Sequence, residues 1–240
     1  MTTADPIITI DEQPVPFKPG QTILQAALDA GVYIPHLCHH PEFAPHGSCK
    51  LCTIVVNGRH ASACALRAAP GQEIEVDTPE LHAYRRTLVQ MLFVEGNHFC
   101  PGCEKSGNCQ LQALGYEFEM MTAHFVHFFP NRQVDASHPD ALLDFNRCIL
   151  CELCVRASRD VDGKGVFALA GRGLASHLIV NSPSGKLGDS SFSISDKAAH
   201  VCPVGAILIK RVGFATPIGE RLYDLEPISA EAAQCAIEEA

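Results

Sequence analysis

Twelve cysteines in 240 residues are the side chains here with the most chemistry in them, and eleven fall into three groups. Cys38, Cys49, Cys52 and Cys64 are spaced C-x10-C-x2-C-x11-C. Cys100, Cys103 and Cys109 follow as C-x2-C-x5-C, and Cys148, Cys151 and Cys154 as C-x2-C-x2-C, with Cys202-Pro203 further on. Cys235 stands alone and reads as a free thiol. The N-terminus has neither a basic segment nor an apolar stretch of signal-peptide type, so the expected compartment is the reducing cytoplasm, where grouped thiols bind metal or do redox chemistry rather than form disulfides.

Each group predicts a centre. Four thiolates arranged as a close C-x2-C pair plus two distant partners supply the two sulfurs per iron of a 2Fe-2S cluster; structural zinc would also accept four thiolates. His39, His40 and His46 in the intervening loop read as solvated, because a Rieske centre replaces two cysteines and here all four are present. The second group offers three thiolates where a 4Fe-4S cube takes four ligands. The nearest further donor is His98, a neutral imidazole being a competent metal ligand; capping of the preceding helix is its other reading. In the third group Ser158 stands where a bacterial ferredoxin has its fourth Cys. A distant Cys-Pro completes each tetrad in two-cluster ferredoxins, so Cys202 is the expected fourth ligand of a 4Fe-4S cluster. Counting back from Cys202 puts the partner positions of a second cluster at Phe192, Ser195 and Ala198, so that cluster is expected to be lost.

The elements that must position these groups read as three modules and a tail, over residues 1–78, 79–125, 140–212 and 213–240. In the first, two β-rich runs over 7–17 flank Asp11-Glu12-Gln13, and a helix over 22–30 ends at Gly31. A β-branched run at 53–56 is followed by the hairpin signal Asn57-Gly58 and another strand at 73–76. Thr78-Pro79-Glu80 opens a second helix, with Leu81, Tyr84, Leu88 and Leu92 on one face and Gly96 at its end. A connection near Pro130-Asn131 leads to the third module, which contains a Gly/Ser-rich loop over 181–191. The fold class is therefore α+β.

Several functions are disfavoured. No apolar run is long enough to span a bilayer, and a net charge of −9 without a basic cluster gives no footprint for nucleic acid, so neither membrane nor nucleic acid is an expected partner. Gly163-x-Gly165 and Gly171-x-Gly173 lack the third glycine of a dinucleotide fingerprint. No phosphate-binding loop or nucleophile-base pair is recognisable, and His124 and His127 read as surface or interface groups. No catalytic residue is expected on this chain. Charged residues make up 19%, which hints that part of the surface is covered by other subunits.

The segment Asn97-His98-Phe99-Cys100-Pro101-Gly102-Cys103-Glu104-Lys105-Ser106-Gly107-Asn108-Cys109-Gln110-Leu111-Gln112 resembles the cluster motif of one His and three Cys in the complex I and hydrogenase family. It differs in one respect: three residues usually separate His and the first Cys, whereas here there is one, and Gly96 holds the usual His position. Over residues 5–212 the order of centres is similar to that of complex I large peripheral subunits, iron-only hydrogenases, and the diaphorase small (gamma) subunit of NAD-reducing nickel-iron hydrogenases. The chain stops soon after the last centre, which favours the third group. That resemblance implies an N-terminal β-grasp 2Fe-2S ferredoxin-like domain, a small helical domain with a His-ligated 4Fe-4S cluster, and a C-terminal bacterial-ferredoxin-like 4Fe-4S domain. It implies a cytoplasmic hetero-oligomer in which this chain relays electrons between the nickel-iron hydrogenase small and large subunits and an FMN/NAD-binding diaphorase large subunit. FMN and the nickel-iron centre would reside on those partners. An iron-sulfur subunit of an NAD-dependent formate dehydrogenase or of a split complex I would use the same wiring, and a zinc-stabilised scaffold is the alternative outside redox chemistry.

Overall fold

A computed structural model describes residues 6–128 and 131–230. Cys235 and Pro130 lie outside the described residues. The chain divides into two compact units, residues 1–88 with 227–240, and residues 89–226.

In the first unit, strands β1 (Ile7–Ile10) and β2 (Gln13–Pro16) form a hairpin. Its two-residue turn places Asp11 and Glu12 at φ 45° and 69°, the paired left-handed conformation that matches strand twist. Helix α1 (Ile23–Asp29) starts from a reciprocal cap in which Thr22 and Gln25 satisfy each other's backbone N–H groups. Strand β3 (Thr53–Val56) turns through Asn57 and Gly58, at φ 47° and 76°, into β4 (Arg59–Ser62). Strand β5 (Glu73–Glu75) completes a sheet of order β2-β1-β5-β3-β4, in which only β1 and β5 run parallel. Ile8, Ile10, Ile23, Leu24, Ile54 and Ile74 form the core together with Cys52 and Cys64.

Helix α2 (Pro79–Glu95) is capped by the Thr78 hydroxyl, which accepts from Leu81 N–H at 3.2 Å. Its buried positions are Leu81, Arg85, Val89 and Val94, and Tyr84 is exposed. This corrects the expected face: apolar spacing favoured Tyr84, but the neighbouring arginine finds carbonyl partners inside and takes the buried stripe.

The second unit contains α3 (Gln110–Glu117), β6 (Val134–Asp135), β7 (Ala141–Asp144), α4 (Leu153–Arg156) and the hairpin β8 (Phe167–Ala170) with β9 (His177–Val180). Helix α5 (Lys197–His200) and β10 (Ile207–Ile209) follow, then α6 (Leu222–Leu225). The three-stranded sheet is antiparallel in the order β10-β7-β6, which brings the segment after Cys202 beside the segment before Cys148. No described helix is long and apolar enough to cross a membrane.

Candidate metal centres

The first thiol group is assembled from loops at one end of the five-stranded sheet's connections. Leu24 N–H at the start of α1 donates to Ala63 O, and Ala63 N–H donates to Cys52 O, so helix, strand end and Cys64 loop are tied together. Cys38, Cys52 and Cys64 are each 1% exposed. The thiols come in two hydrogen-bonded pairs, Cys38 with Cys49 and Cys52 with Cys64. Sharing one proton holds Cys38 down to about 4 and pushes Cys49 up; likewise Cys64 is lowered and Cys52 raised. Charges also act between the pairs, from Cys38 on both Cys52 and Cys64, so all four sulfurs share one site. Of the loop histidines, His46 is exposed and His40 stacks on Phe43 at 4.5 Å, but His39 is buried, which corrects its expected solvation. The chain packs His39 beside His36, ring centroids 5.4 Å apart.

Cys100, Cys103 and Cys109 converge between α2 and α3, since Cys109 lies within electrostatic reach of both others. Burial pushes the Cys109 thiol up to about 12 and raises that of Cys100. His98 is half-buried, with its Nε2 atom fully buried and lacking any hydrogen-bond partner, and desolvation, then the Arg147 charge, lower its pKa to about 4, keeping the ring neutral. A Cβ added at Gly96 would stand 2.4 Å from that Nε2. The imidazole therefore occupies the space that a side chain at residue 96 would take, and the missing Cβ makes room for it.

The third group closes around a cavity lined by Cys148, Cys151, Cys154 and Cys202, with Leu169, Leu178, Val204 and Ile207. Leu150 and Glu152 at φ 55° and 59° wrap the C-x2-C-x2-C loop, letting three cysteines of a seven-residue stretch face one space. Burial raises Cys148 to about 11 and Cys154 well above the usual thiol range. Ser158 is buried and its hydroxyl accepts Val166 N–H at 2.8 Å, an architectural use of the position. Where a second ferredoxin cluster would sit, Phe192 packs edge-on against Phe167 and His138, at 5.7 and 5.4 Å, and Ala198 is buried; Ser195 faces solvent.

The second and third groups share one fabric. Gln110 N–H, next to Cys109, donates to Pro203 O, next to Cys202, at 2.9 Å. Arg147, directly before Cys148, donates from Nη1 to Cys103 Sγ at 3.5 Å and to Glu104 at 3.0 Å, and its Nε pairs with Asp144 at 2.9 Å. Gly205 lies so near Cys103 that a Cβ would be 2.8 Å from Sγ. Sequence reasoning missed Arg85, Arg147 and Gly205. Only Arg85 had a legible signal, its i, i+4 spacing from both Leu81 and Val89.

No group of three or more His, Cys, Asp or Glu among the described residues is arranged for a single metal ion. The sulfurs, buried or half-buried, form sets of three and four within charge reach, a donor set whose chemistry fits multi-iron clusters. The orphaned Nε2 of His98 fits the same reading.

Comparison with known proteins agrees along the chain. Residues 7–79 match the model of a 2Fe-2S iron-sulfur cluster binding domain, residues 85–124 an NADH-ubiquinone oxidoreductase-G iron-sulfur binding region, and residues 142–209 a 4Fe-4S single cluster domain. Fold and sites together define an iron-sulfur electron-transfer subunit of an oxidoreductase. The gamma subunit of the NAD-reducing hydrogenase HoxS of Cupriavidus necator is 42% identical over 94% of this chain and 96% of its own length. A crystal structure of NAD+-reducing [NiFe]-hydrogenase in the H2-reduced state contains a chain 55% identical to this one, with a TM-score of 0.92 over 95% of this chain and 99% of that one. The mitochondrial NADH-ubiquinone oxidoreductase 78 kDa subunit of Candida albicans is 31% identical over 86% of this chain, but only 29% of that longer protein is covered. The chain belongs to the family of NAD-reducing hydrogenase gamma subunits.

Proposed function

We propose that this chain carries one 2Fe-2S cluster on Cys38, Cys49, Cys52 and Cys64, and two 4Fe-4S clusters. One of these is held by His98, Cys100, Cys103 and Cys109, the other by Cys148, Cys151, Cys154 and Cys202. On this reading the N-terminal unit is a β-grasp ferredoxin-like domain, followed by a small helical cluster domain and a single-cluster ferredoxin-like domain. The chain relays electrons, in the cytoplasm, between a nickel-iron hydrogenase module and an FMN/NAD-binding diaphorase subunit. The convergence of eleven cysteines, buried or half-buried, into three groups carries the reading. The near full-length match to a hydrogenase gamma chain supports the assignment of partners.

The clusters supply one-electron redox chemistry when bound, and the protein sets where and at what potential. Buried thiols, raised while protonated, lose their protons to become ligands, so burial makes each site selective for a strongly bound positive centre. Neutral His98, placed in the room left by Gly96, supplies the fourth donor that the second group needs. Arg147 points a cation at Cys103, and hydrogen bonds to ligand sulfur raise a cluster's potential. Exposed Phe99, Tyr116, Phe214, Ile218 and Leu225 supply apolar surface suited to subunit contact.

The test is anaerobic purification of the native complex through this chain. Roughly ten irons per chain with matching sulfide, and hydrogen-dependent NAD reduction with co-purifying nickel, are expected. A colourless chain containing zinc would overturn the redox assignment. NADH oxidation without nickel or hydrogen uptake would overturn the hydrogenase assignment in favour of a complex I-type assembly.

A further inference from the structure

The first thiol group has a neighbour that its cysteine spacing does not announce. Arg85, on α2, is 2% exposed, one of the largest fully buried side chains of the protein. Its guanidinium donates to three main-chain carbonyls: Nε to Leu51 at 3.1 Å, Nη2 to Thr53 at 2.8 Å and Nη1 to Val76 at 2.8 Å. Leu51 and Thr53 flank Cys52, so the planar fork grips the backbone on both sides of that thiol.

Carbonyls orient a buried cation and solvate it, but they are dipoles and leave its charge uncancelled, and a buried charge is ordinarily matched by an opposite one. The nearby carboxylates fill that role poorly. Asp11 and Asp77 act on Arg85 only at a distance, and Asp11 already accepts Val76 N–H at 2.8 Å and Asp77 N–H at 3.2 Å. Tyr33 contributes less again. Among the charges that favour the guanidinium, Cys52 is the largest. Because the guanidinium is bonded to the carbonyls on both sides of Cys52, the opposite charge it is placed to meet is that of the four-thiolate group in its metal-bound form.

We infer that Arg85 is a positioning residue of the first centre, clamping Cys52 through the Leu51 and Thr53 carbonyls and serving as the fixed internal cation that favours the centre's reduced state. The inference rests on the assignment of a 2Fe-2S cluster to Cys38, Cys49, Cys52 and Cys64. By formal charge, two ferric ions, two sulfides and four thiolates leave two net negative charges. Reduction adds one electron and a third negative charge, with no bond made or broken. A cation held in place before the electron arrives stabilises the reduced form more than the oxidised one, and burial keeps solvent from screening the difference.

The test uses the whole complex, purified anaerobically with R85Q, R85K or unaltered chain, and titrates the 2Fe-2S signal by electron paramagnetic resonance. The unaltered complex comes first: absence of a 2Fe-2S signal there defeats the cluster assignment itself, separately from any role of Arg85. R85Q is expected to lower the ratio of reduced to oxidised 2Fe-2S about tenfold at fixed potential, a midpoint lowered by about 59 mV, with both 4Fe-4S midpoints unmoved. R85K keeps the charge and loses part of the clamp, so its midpoint should stay within about threefold of the unaltered ratio while its thermal stability falls. Unmoved midpoints in both variants would overturn the inference, leaving a purely structural arginine. Equal falls in both would overturn it too, by assigning the effect to carbonyl bonding rather than charge. If R85Q does not accumulate, R85K decides: a retained midpoint supports the inference, and a tenfold fall refutes it.

Discussion

Alanine at Gly205 isolates the packing around the second centre. The glycine's φ lies outside the left-handed range, so alanine adds a methyl group without that backbone strain. That methyl would stand 2.8 Å from Cys103 Sγ, 3.2 Å from Lys105 Cβ and 3.4 Å from Arg147 Nη1. Ordinary contact begins at 3.4 Å, so Cys103 must recede by at least about 0.6 Å, comparable with the roughly 0.5 Å within which a functional constellation must be held. Overpacking of this kind costs roughly 1–3 kcal/mol, which lowers the melting temperature by about 4–8 °C at 2 kcal/mol for a unit of this size. The thiol that moves is an assigned ligand, so the cluster should suffer before the fold does. Iron is expected to fall from about ten to about six per chain, with one 4Fe-4S signal lost or broadened and the 2Fe-2S signal unchanged. Gly115→Ala in α3 is the control within the same unit, because its methyl would meet Met120 and Phe93 at an ordinary 3.7–3.8 Å. That variant should gain up to about 1 kcal/mol of helix propensity and keep all its iron. Full iron content, unaltered spectra and an unshifted melting temperature in Gly205→Ala would refute the reasoning.

Cys202→Ser should remove about four irons and the signal of the third centre alone, measured by iron analysis and spectroscopy. Lys164→Met breaks the pair with buried Asp196, 2.6 Å away, leaving a carboxylate with Ser193 N–H but no counter-ion; denaturant unfolding should show a loss of about 3 kcal/mol. Ser158→Ala orphans the buried Val166 N–H and should cost about 1–3 kcal/mol without changing iron content. Arg147→Gln removes the cation from Cys103, so redox titration should find the second centre's midpoint lowered and the 2Fe-2S midpoint unmoved.

What was legible in the sequence was local. Asp11-Glu12, Asn57-Gly58 and Thr78-Pro79 each encode their turn or cap through neighbouring residues, and the structure has them there. The grouping of the cysteines was legible in their spacing, and the structure brings the members of each group together. What escaped was set by partners distant in sequence. Arg85 displaces Tyr84 from the buried face because Leu51, Thr53 and Val76 present carbonyls to it, and its own segment encodes none of them. His39 counted as a loop residue until the fold packed it beside His36. Gly205 is constrained by Cys103, about a hundred positions earlier, so no window around it could have shown why it lacks a side chain.

The contacts of Gly205 and Pro203 with the Cys103–Cys109 segment also bear on biosynthesis. Chain leaving the ribosome has released every residue of the first thiol group, and the arginine that grips it, once position 85 emerges. The second group is different: its cysteines are all out by position 109, yet its wall includes Arg147 and Gly205. Those three thiols precede part of their wall by nearly a hundred residues, a span that also includes Cys202. On the proposed assignment, the ligands of the first centre are therefore complete early in the chain, whereas the surroundings of the second and the last ligand of the third arrive together near residues 202–205.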